Sequence, residues 1–363
     1  MSSSPGSRIA EVRCSRVTAG LHTPFVTALR STSTVETTVV EVVTGDGERG
    51  FGESPQVWRV TGESLASAEA CLSGPLRDVV LHRDPDDLHD LLVASERAVV
   101  GNHGAKAALD VALHDLAARR LGVPLVRLFG GTALSVRTDV TISAGEVDQV
   151  SADAGKRRAD GFGTLKLKVG TNAASDVPRV RAVREAVGPD VTVRLDANQG
   201  WSAREAIRAI RALEDAGTDV ELVEQPVAAW DLDGLAAVTA AVDTPVMADE
   251  SCFGLRDLTA IIRLRAADLV NVKLAKCGGL RNARTLLELA AAHGVGAILG
   301  SMMEGPIGVG AAASLAAAHG STLVNDLDAA WWLESSPVRG GITYDGDTVA
   351  LPDGPGLGIE GLA

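Results

Sequence analysis

Five ionisable residues recur along this 363-residue chain at nearly constant intervals. Lys168 closes the run Thr164-Leu-Lys-Leu-Lys168, and Asp196 lies in Val193-Arg-Leu-Asp-Ala-Asn-Gln-Gly-Trp201. Glu224 lies in Glu221-Leu-Val-Glu-Gln-Pro226, Asp249 in Pro245-Val-Met-Ala-Asp-Glu250, and Lys273 ends Asp268-Leu-Val-Asn-Val-Lys273. The steps are 28, 28, 25 and 24 residues. Three carboxylates brought together repel one another unless a cation lies among them, and an all-oxygen donor set suits Mg²⁺. Lysines supply the complementary chemistry. Lys166 and Lys168 alternate with apolar residues, so in a strand they point the same way. Two lysines on an inward face must be compensated or have lowered pKa values; each ammonium disfavours the charge of the other and a nearby metal adds to this, which would make a neutral lysine available as general base. Blander readings exist: each carboxylate alone could cap the following helix, and the two lysines could form the solvated face of an edge strand. Glu224 fits a capping role poorly, because caps are normally Ser, Thr, Asn or Asp.

Each of the five residues follows a short β-branched or aliphatic run, and each run follows an amphipathic, helix-like stretch. This is the period of a βα unit. Such runs fall near 136–143, 164–169, 191–196, 220–224, 246–248, 269–273, 296–299 and 322–325, separated by helical patterns such as 203–216, 235–241 and 281–293. Eight strands alternating with helices predict a (β/α)8 barrel, an α/β fold of the modified TIM-barrel kind, with one ionisable group at the carboxyl end of each of five successive strands. Lys273 then stands four strands beyond Lys168, on the opposite side of the ring. Two facing bases favour removal of a proton from one face of a carbon and its return on the other. A one-base reaction, with the second lysine as electrostatic stabiliser, stays open.

Upstream, residues 8–53 read as a β meander with a turn at 45–47, and 102–121 as a helix with Asn102 as N-cap and Gly122 as stop. These form an α+β capping domain over 1–130. The barrel domain covers 131–339. A tail of strands and turns, 340–363, leaves the barrel and completes the first domain.

Hydrophobic residues at 46% and charged residues at 22% are enough to fill a sizeable core. A net charge of −13 argues against nucleic acid and anionic membrane as partners, since both need clustered Lys and Arg. Cys14, Cys71, Cys252 and Cys277 form no CxxC pair, and Met1–Gly6 lacks the apolar run of a signal peptide, so a reduced, cytoplasmic protein is expected. The small-apolar run 307–318 is too short to span a bilayer and reads as a buried helix.

Other polar residues near the predicted rim have two readings each. Lys276 falls in a loop with a secondary role. Asp326 and Asp328 flank Leu327 beyond the last strand, either as caps or as a paired-carboxylate site for a cationic group. Ser301, Met302, Met303 and Glu304 follow the seventh strand and can line a pocket, although Glu304 can equally be an acid favoured at a helix N-terminus.

The Lys166/Lys168 pair, Asp196 with Asn198, Glu224, Asp249 and Lys273 resemble, position by position, the enolase superfamily in its muconate-lactonising branch. Ala107-Ala-Leu-Asp-Val-Ala-Leu-His-Asp-Leu116 is similar to that branch's helix before the barrel. Within it the chain resembles the dipeptide epimerases, above all the L-Ala-D/L-Glu epimerases. Pro24-Phe-Val-Thr-Ala-Leu-Arg30, Arg194–Trp201, Asp326-Leu-Asp328 and Gly341-Ile-Thr-Tyr-Asp-Gly346 carry that likeness. Gly305-Pro306 and Trp331-Trp332 depart from it. The resemblance implies Mg²⁺ on Asp196, Glu224 and Asp249, and 1,1-proton transfer alpha to a carboxylate through an enediolate. It implies Lys168 and Lys273 as opposed bases, with Lys166 beside the substrate carboxylate. Asp326 and Asp328 would hold the terminal ammonium, and Arg30 the glutamate side chain. Thr141, Asn198, Ser301, Met303 and Glu304 complete the implied substrate site. A small-molecule dipeptide is the expected partner, and a homo-oligomer the expected assembly. The alternatives are N-acylamino acid racemase, o-succinylbenzoate synthase or muconate cycloisomerase activity, or a barrel that binds without catalysis.

Overall fold

The protein, a computed structural model, is described over residues 7–26, 31–321 and 323–363. Its β-branched first segment folds as the expected meander: β1 (Ile9–Val26), β2 (Ser31–Thr44) and β3 (Arg49–Pro55) pair antiparallel in that order. Gly47, at φ 92°, makes the turn between β2 and β3. The helix His103–Arg120 lies flat on this sheet. Gly50 and Gly52 permit the approach, because a Cβ on either would strike the helix backbone at Ala112 or Ala108. Asn102 does precede this helix, but it is left-handed at φ 51° and makes no side-chain cap. The buried Glu63 caps instead, accepting from Gly104 N at 2.9 Å and Ala105 N at 3.3 Å. A carboxylate there satisfies two orphan donors and adds the negative charge a helix N-terminus favours.

The second part is a ring of parallel strands in chain order: after β4 (Ser135–Arg137) come β5 (Val140–Ile142), β6 (Thr164–Lys168), β7 (Thr192–Asp196), β8 (Val220–Glu224), β9 (Val246–Ala248), β10 (Leu269–Lys273) and β11 (Gly296–Gly300). Helices alternate with them, such as Ala203–Asp215, which starts on a Ser202–Glu205 capping box. Two expectations change here. The first predicted strand divides, and only β5 enters the ring, while β4 pairs antiparallel with the tail. The eighth predicted strand begins at Thr322, outside the described residues. The ring is closed there by single parallel bridges, Thr138 to Asn325 and Gly300 to Asp326. Asp139 N donates to Asn325 O and Ser301 N to Asp326 O, each at 2.9 Å. The polar Asn-Asp-Leu-Asp sequence offers no β-branched run to extend this pairing.

In the tail, β12 (Val338–Gly340) pairs with β15 (Ile359–Leu362), and β13 (Thr343–Asp345) and β14 (Thr348–Ala350) join β4 in an antiparallel sheet. Residues 356–360 touch the first domain. There the wholly buried Asp115 accepts from Leu357 N at 2.6 Å and Phe51 N at 2.9 Å. One apolar core fills the ring and its helices, and a second lies beneath the meander. The apolar run around 307–318 is the helix Pro306–His319, buried from Pro306 to Ala316. Among the described residues no helix is long and apolar enough to cross a membrane.

Candidate active site

The parallel register puts Lys168 beside Asp196 and Asp196 beside Glu224. These residues end β6, β7 and β8, while Asp249 follows the last residue of β9 and Lys273 ends β10. The chain turns sharply after each carboxylate. Asn198, Gln199 and Gln225 hold left-handed backbone at φ 40°, 70° and 36°, strain of the kind that collects at functional rims. Gln225 sets the next loop, its Oε1 accepting from Asp249 N at 2.9 Å and Ser251 N at 3.1 Å.

A cavity of about 460 Å³ opens at this rim. Its walls include Lys166, Lys168, Lys273, Asp249 and Asn198, with Thr141 of β5, Ser301 and Met303 after β11, and Asp326 and Asp328. Asp196 and Glu224 are wholly buried behind the lysines. Glu304 also stands behind the wall, its Oε1 accepting from Met302 N at 2.9 Å. Arg30 lies outside the described residues.

Charge pairing is dense. Lys168 Nζ donates to Asp196 Oδ2 at 2.6 Å, and Lys273 Nζ to Asp249 Oδ2 at 2.9 Å. Lys276 belongs to the short helix Leu274–Cys277, not to a loop. Wholly buried, it donates to Asp249 Oδ1 at 2.5 Å and to the Asn271 carbonyl at 3.0 Å. Lys166 Nζ is 2.5 Å from Asp326 Oδ1 and 3.7 Å from Glu224 Oε2. Asn271 Nδ2 bridges Glu224 Oε1 at 2.8 Å and Asp326 Oδ2 at 3.0 Å. Asp328 Oδ2 accepts from Thr141 N at 2.8 Å and Trp332 Nε1 at 2.9 Å. Tyr344 of the tail steadies the same loop by donating to Leu327 O at 2.7 Å.

Carboxylates compensate the charges of Lys166 and Lys273. Burial lowers the pKa of Lys166 and Lys273, and each lysine repels the other. For Lys166 these effects are outweighed by Asp326, Glu224 and Asp139, and for Lys273 by Asp249, Asp326 and Glu224. Both ammonium groups are thus held well above their ordinary range, because each faces several carboxylates that together outweigh burial. Glu224 is pushed up to about 8 by burial and then by Asp196. Asp249, despite burial, is held below the usual carboxylate range by Lys273 and Lys276.

The donor set fits a hard divalent cation. It is all oxygen, it spans adjacent strand ends, and Glu224 Oε2 is buried without a hydrogen-bond partner. Asp196 and Asp249 direct oxygens to lysines, so among the described residues no three acidic side chains stand together in coordination geometry.

Sequence reasoning missed several participants. Asn271 and Arg194 each lie two residues before a singled-out strand end, so alternation alone puts them on the inner face. Arg194, wholly buried, lies 3.1 Å from Asp139 and also pairs with Glu221. Glu250 borders the cavity and is pushed up to about 7 by burial and Asp249. Val57, Trp58, Arg59 and Val60 reach the cavity from the first domain, and no periodic signal marks that loop.

Comparison with known proteins gives the same picture from outside. The N-terminal domain of the family described as mandelate racemase / muconate lactonizing enzyme matches residues 9–130, and the enolase C-terminal domain-like family matches 149–361. An L-Ala-D/L-Glu epimerase of Clostridium acetobutylicum is 42% identical over 98% of this chain and 99% of its own length. The substrate-liganded L-Ala-D/L-Glu epimerase of Bacillus subtilis superimposes with a TM-score of 0.96 at 41% identity, covering 98% of this chain and 99% of that one. A dipeptide epimerase of Enterococcus faecalis, complexed with Mg and L-Leu-L-Tyr, gives 0.93 at 37% identity over 97% and 99%.

Proposed function

This chain belongs to the mandelate racemase / muconate lactonizing enzyme family, and we propose that within it the chain is a Mg²⁺-dependent epimerase of L-Ala-D/L-Glu dipeptides. It is an isomerase acting on amino acid derivatives. The observation that carries the dipeptide reading is a pair of lysines, Lys168 on β6 and Lys273 on β10, opposite in the ring and bordering one cavity that also holds Asp326 and Asp328.

The substrate's terminal carboxylate lies beside Lys166, with the adjacent α-carbon between Lys168 and Lys273. One lysine withdraws the α-proton from its face. The other returns a proton to the opposite face, and the configuration inverts. Asp196, Glu224 and Asp249 would hold Mg²⁺, which when bound would supply Lewis-acid stabilisation of the negative charge that builds on the carboxylate. Lys276 and Asn271 keep Asp249 and Glu224 oriented. At the far end Asp328, with Asp326, takes the dipeptide's free ammonium. Among the described residues Asp328 pairs with no lysine or arginine, and burial and then Asp326 raise its pKa, so its negative charge calls for a cationic ligand group. That charge counts against N-acylated or dicarboxylate substrates. Arg30 is assigned the substrate's glutamate side chain. Cys14, Cys71, Cys252 and Cys277 are all unbridged, which supports a reducing, cytoplasmic setting.

The test is α-proton exchange in D₂O. The Mg²⁺-loaded protein given L-Ala-L-Glu should place deuterium at the glutamate α-carbon and produce L-Ala-D-Glu. Glu224→Gln and exhaustive chelation should each stop this, chelation reversibly. Exchange undiminished by chelation sinks the metal assignment. No exchange with any L,L-dipeptide leaves a barrel that only binds.

A further inference from the structure

The tryptophan pair that departs from the family pattern stands at a junction. The short 3₁₀ helix Ala329–Trp332 follows Asp328 directly. Trp332, 3% exposed, donates its indole N–H to Asp328 Oδ2 at 2.9 Å. The imidazole of His22, on β1 of the capping domain, stacks on the Trp332 ring at 5.2 Å between centroids and meets Trp331 edge-on at 4.9 Å. The guanidinium of Arg157 covers both indoles at 5.3 and 4.9 Å. Backbone ties complete the junction, with Leu21 bridging Leu333 and Glu334 N donating to Gly20 O at 2.9 Å.

We propose that Trp332 is a positioning residue for amine recognition: its N–H fixes one oxygen of Asp328, and its ring, clamped between His22 and Arg157, ties that carboxylate to the capping domain. This rests on the reading of Asp328 as the ammonium carboxylate. Thr141 N and Trp332 Nε1 both bond Oδ2, so the carboxylate on this cavity wall cannot rotate freely, which leaves Oδ1 as the oxygen for the ammonium. Met or Leu in this place could fill the volume but could not donate.

Two probes, L-Ala-L-Glu and N-acetyl-L-Ala-L-Glu, are titrated into the Mg²⁺-loaded full chain by calorimetry. Trp332→Phe keeps a stacking ring and removes the donor. It should weaken L-Ala-L-Glu about tenfold, the scale of one hydrogen bond to a charged group, raising KM while kcat stays within about threefold. The acetylated probe should change less than twofold. Trp331→Phe, which alters the neighbouring ring but no bond to Asp328, should leave both probes within twofold. Equal losses for both probes, or equal effects of the two tryptophan variants, would show mere packing and overturn the proposal. Asp328→Asn separates the levels. If it weakens both probes alike, the ammonium reading itself fails. If it is selective while Trp332→Phe is not, only the positioning role fails. A measurement on the wild-type fold needs no tryptophan variant: with ¹⁵N-labelled indoles, the resonance displaced by Asp328→Asn should shift with L-Ala-L-Glu and stay put with the acetylated probe. A resonance moved by neither probe counts against the proposal.

Discussion

A lysine at a strand end is chemically ambiguous until its neighbours are known. Lys168 and Lys273 differ in company: Lys168 contacts Asp196, whereas Lys273 faces Asp249 and, farther off, Glu224 and Asp326. Under the proposed two-base mechanism, their positions across the ring assign each to one antipode. Lys168→Ala and Lys273→Ala should therefore each abolish epimerisation, while each retains α-deuterium exchange with one antipode of Ala-Glu, and with opposite antipodes. Mass spectrometry of separate L,L and L,D incubations reads this directly. Epimerisation at the wild-type rate in either variant removes the two-base assignment. The five residues were legible from spacing because each ends an apolar run. Asn271 was legible in principle, two residues before Lys273 on the same face, but an asparagine in a strand advertises no chemistry. The raised pKa values of Lys166 and Lys273 were not legible. They depend on how many carboxylates crowd each ammonium, which only the closed ring decides.

Elements carry the site's rigidity, and one of them carries a pH signature. The helix Pro306–His319 begins against the capping domain, where the buried Glu53 of β3 accepts from Gly305 N at 2.8 Å and Gly308 N at 3.0 Å. Burial and then Glu53 push the neighbouring Glu304 carboxyl up to about 8, against roughly 4.3 when unfolded. Between those values the folded chain keeps a proton the unfolded chain has released. Stability therefore falls as pH rises through this window and levels off above it. Burial raises Glu53 too, with the same sign. Urea midpoints of the metal-free protein at pH 5.5, 6.5 and 7.5 should decline more steeply in the wild type than in Glu304→Gln, by up to about 1.4 kcal/mol per pH unit. Parallel slopes would mean that Glu304 is ionised throughout. From sequence, Glu304 had two readings, pocket or helix N-terminus, and nothing local could reveal Glu53, 251 positions earlier. The same limit explains the strands. β6 to β11 were legible because each is a short run with aliphatic residues, largely buried, that follows a helix-like stretch. The division between β4 and β5 reflects a distant partner, the tail strand β14, and ring closure at Asn325 and Asp326 rests on single bridges with no run of their own.

At the scale of the whole molecule, the barrel carries the ionisable cluster and the capping domain supplies part of the cavity wall, which the proposed function assigns to proton transfer and to the substrate side chain respectively. Buried carboxylates of the cap join them: Leu280 N donates to Asp110 at 2.6 Å, and Gly305 N and Gly308 N to Glu53 at 2.8 and 3.0 Å. This division predicts that preference for the second residue of the dipeptide can be changed from the cap without disturbing catalysis. The segment resemblance assigns recognition of the glutamate carboxylate to Arg30, outside the described residues, while Arg59 is a cation of the same domain that borders the cavity. The two can be told apart. A guanidinium paired with a carboxylate in a closed pocket is worth roughly 2–5 kcal/mol on truncation. Arg30→Met should then lower kcat/KM for L-Ala-L-Glu by about a hundredfold or more and leave L-Ala-L-Met unchanged or improved. Arg59→Met should affect both dipeptides by less than about threefold, as expected of an arginine whose aliphatic stem covers apolar surface. The reverse pattern transfers the recognition role to Arg59. Equal losses for both dipeptides in Arg30→Met would reduce that residue to a structural part of the cap, leaving a dipeptide epimerase whose side-chain preference is set by the barrel.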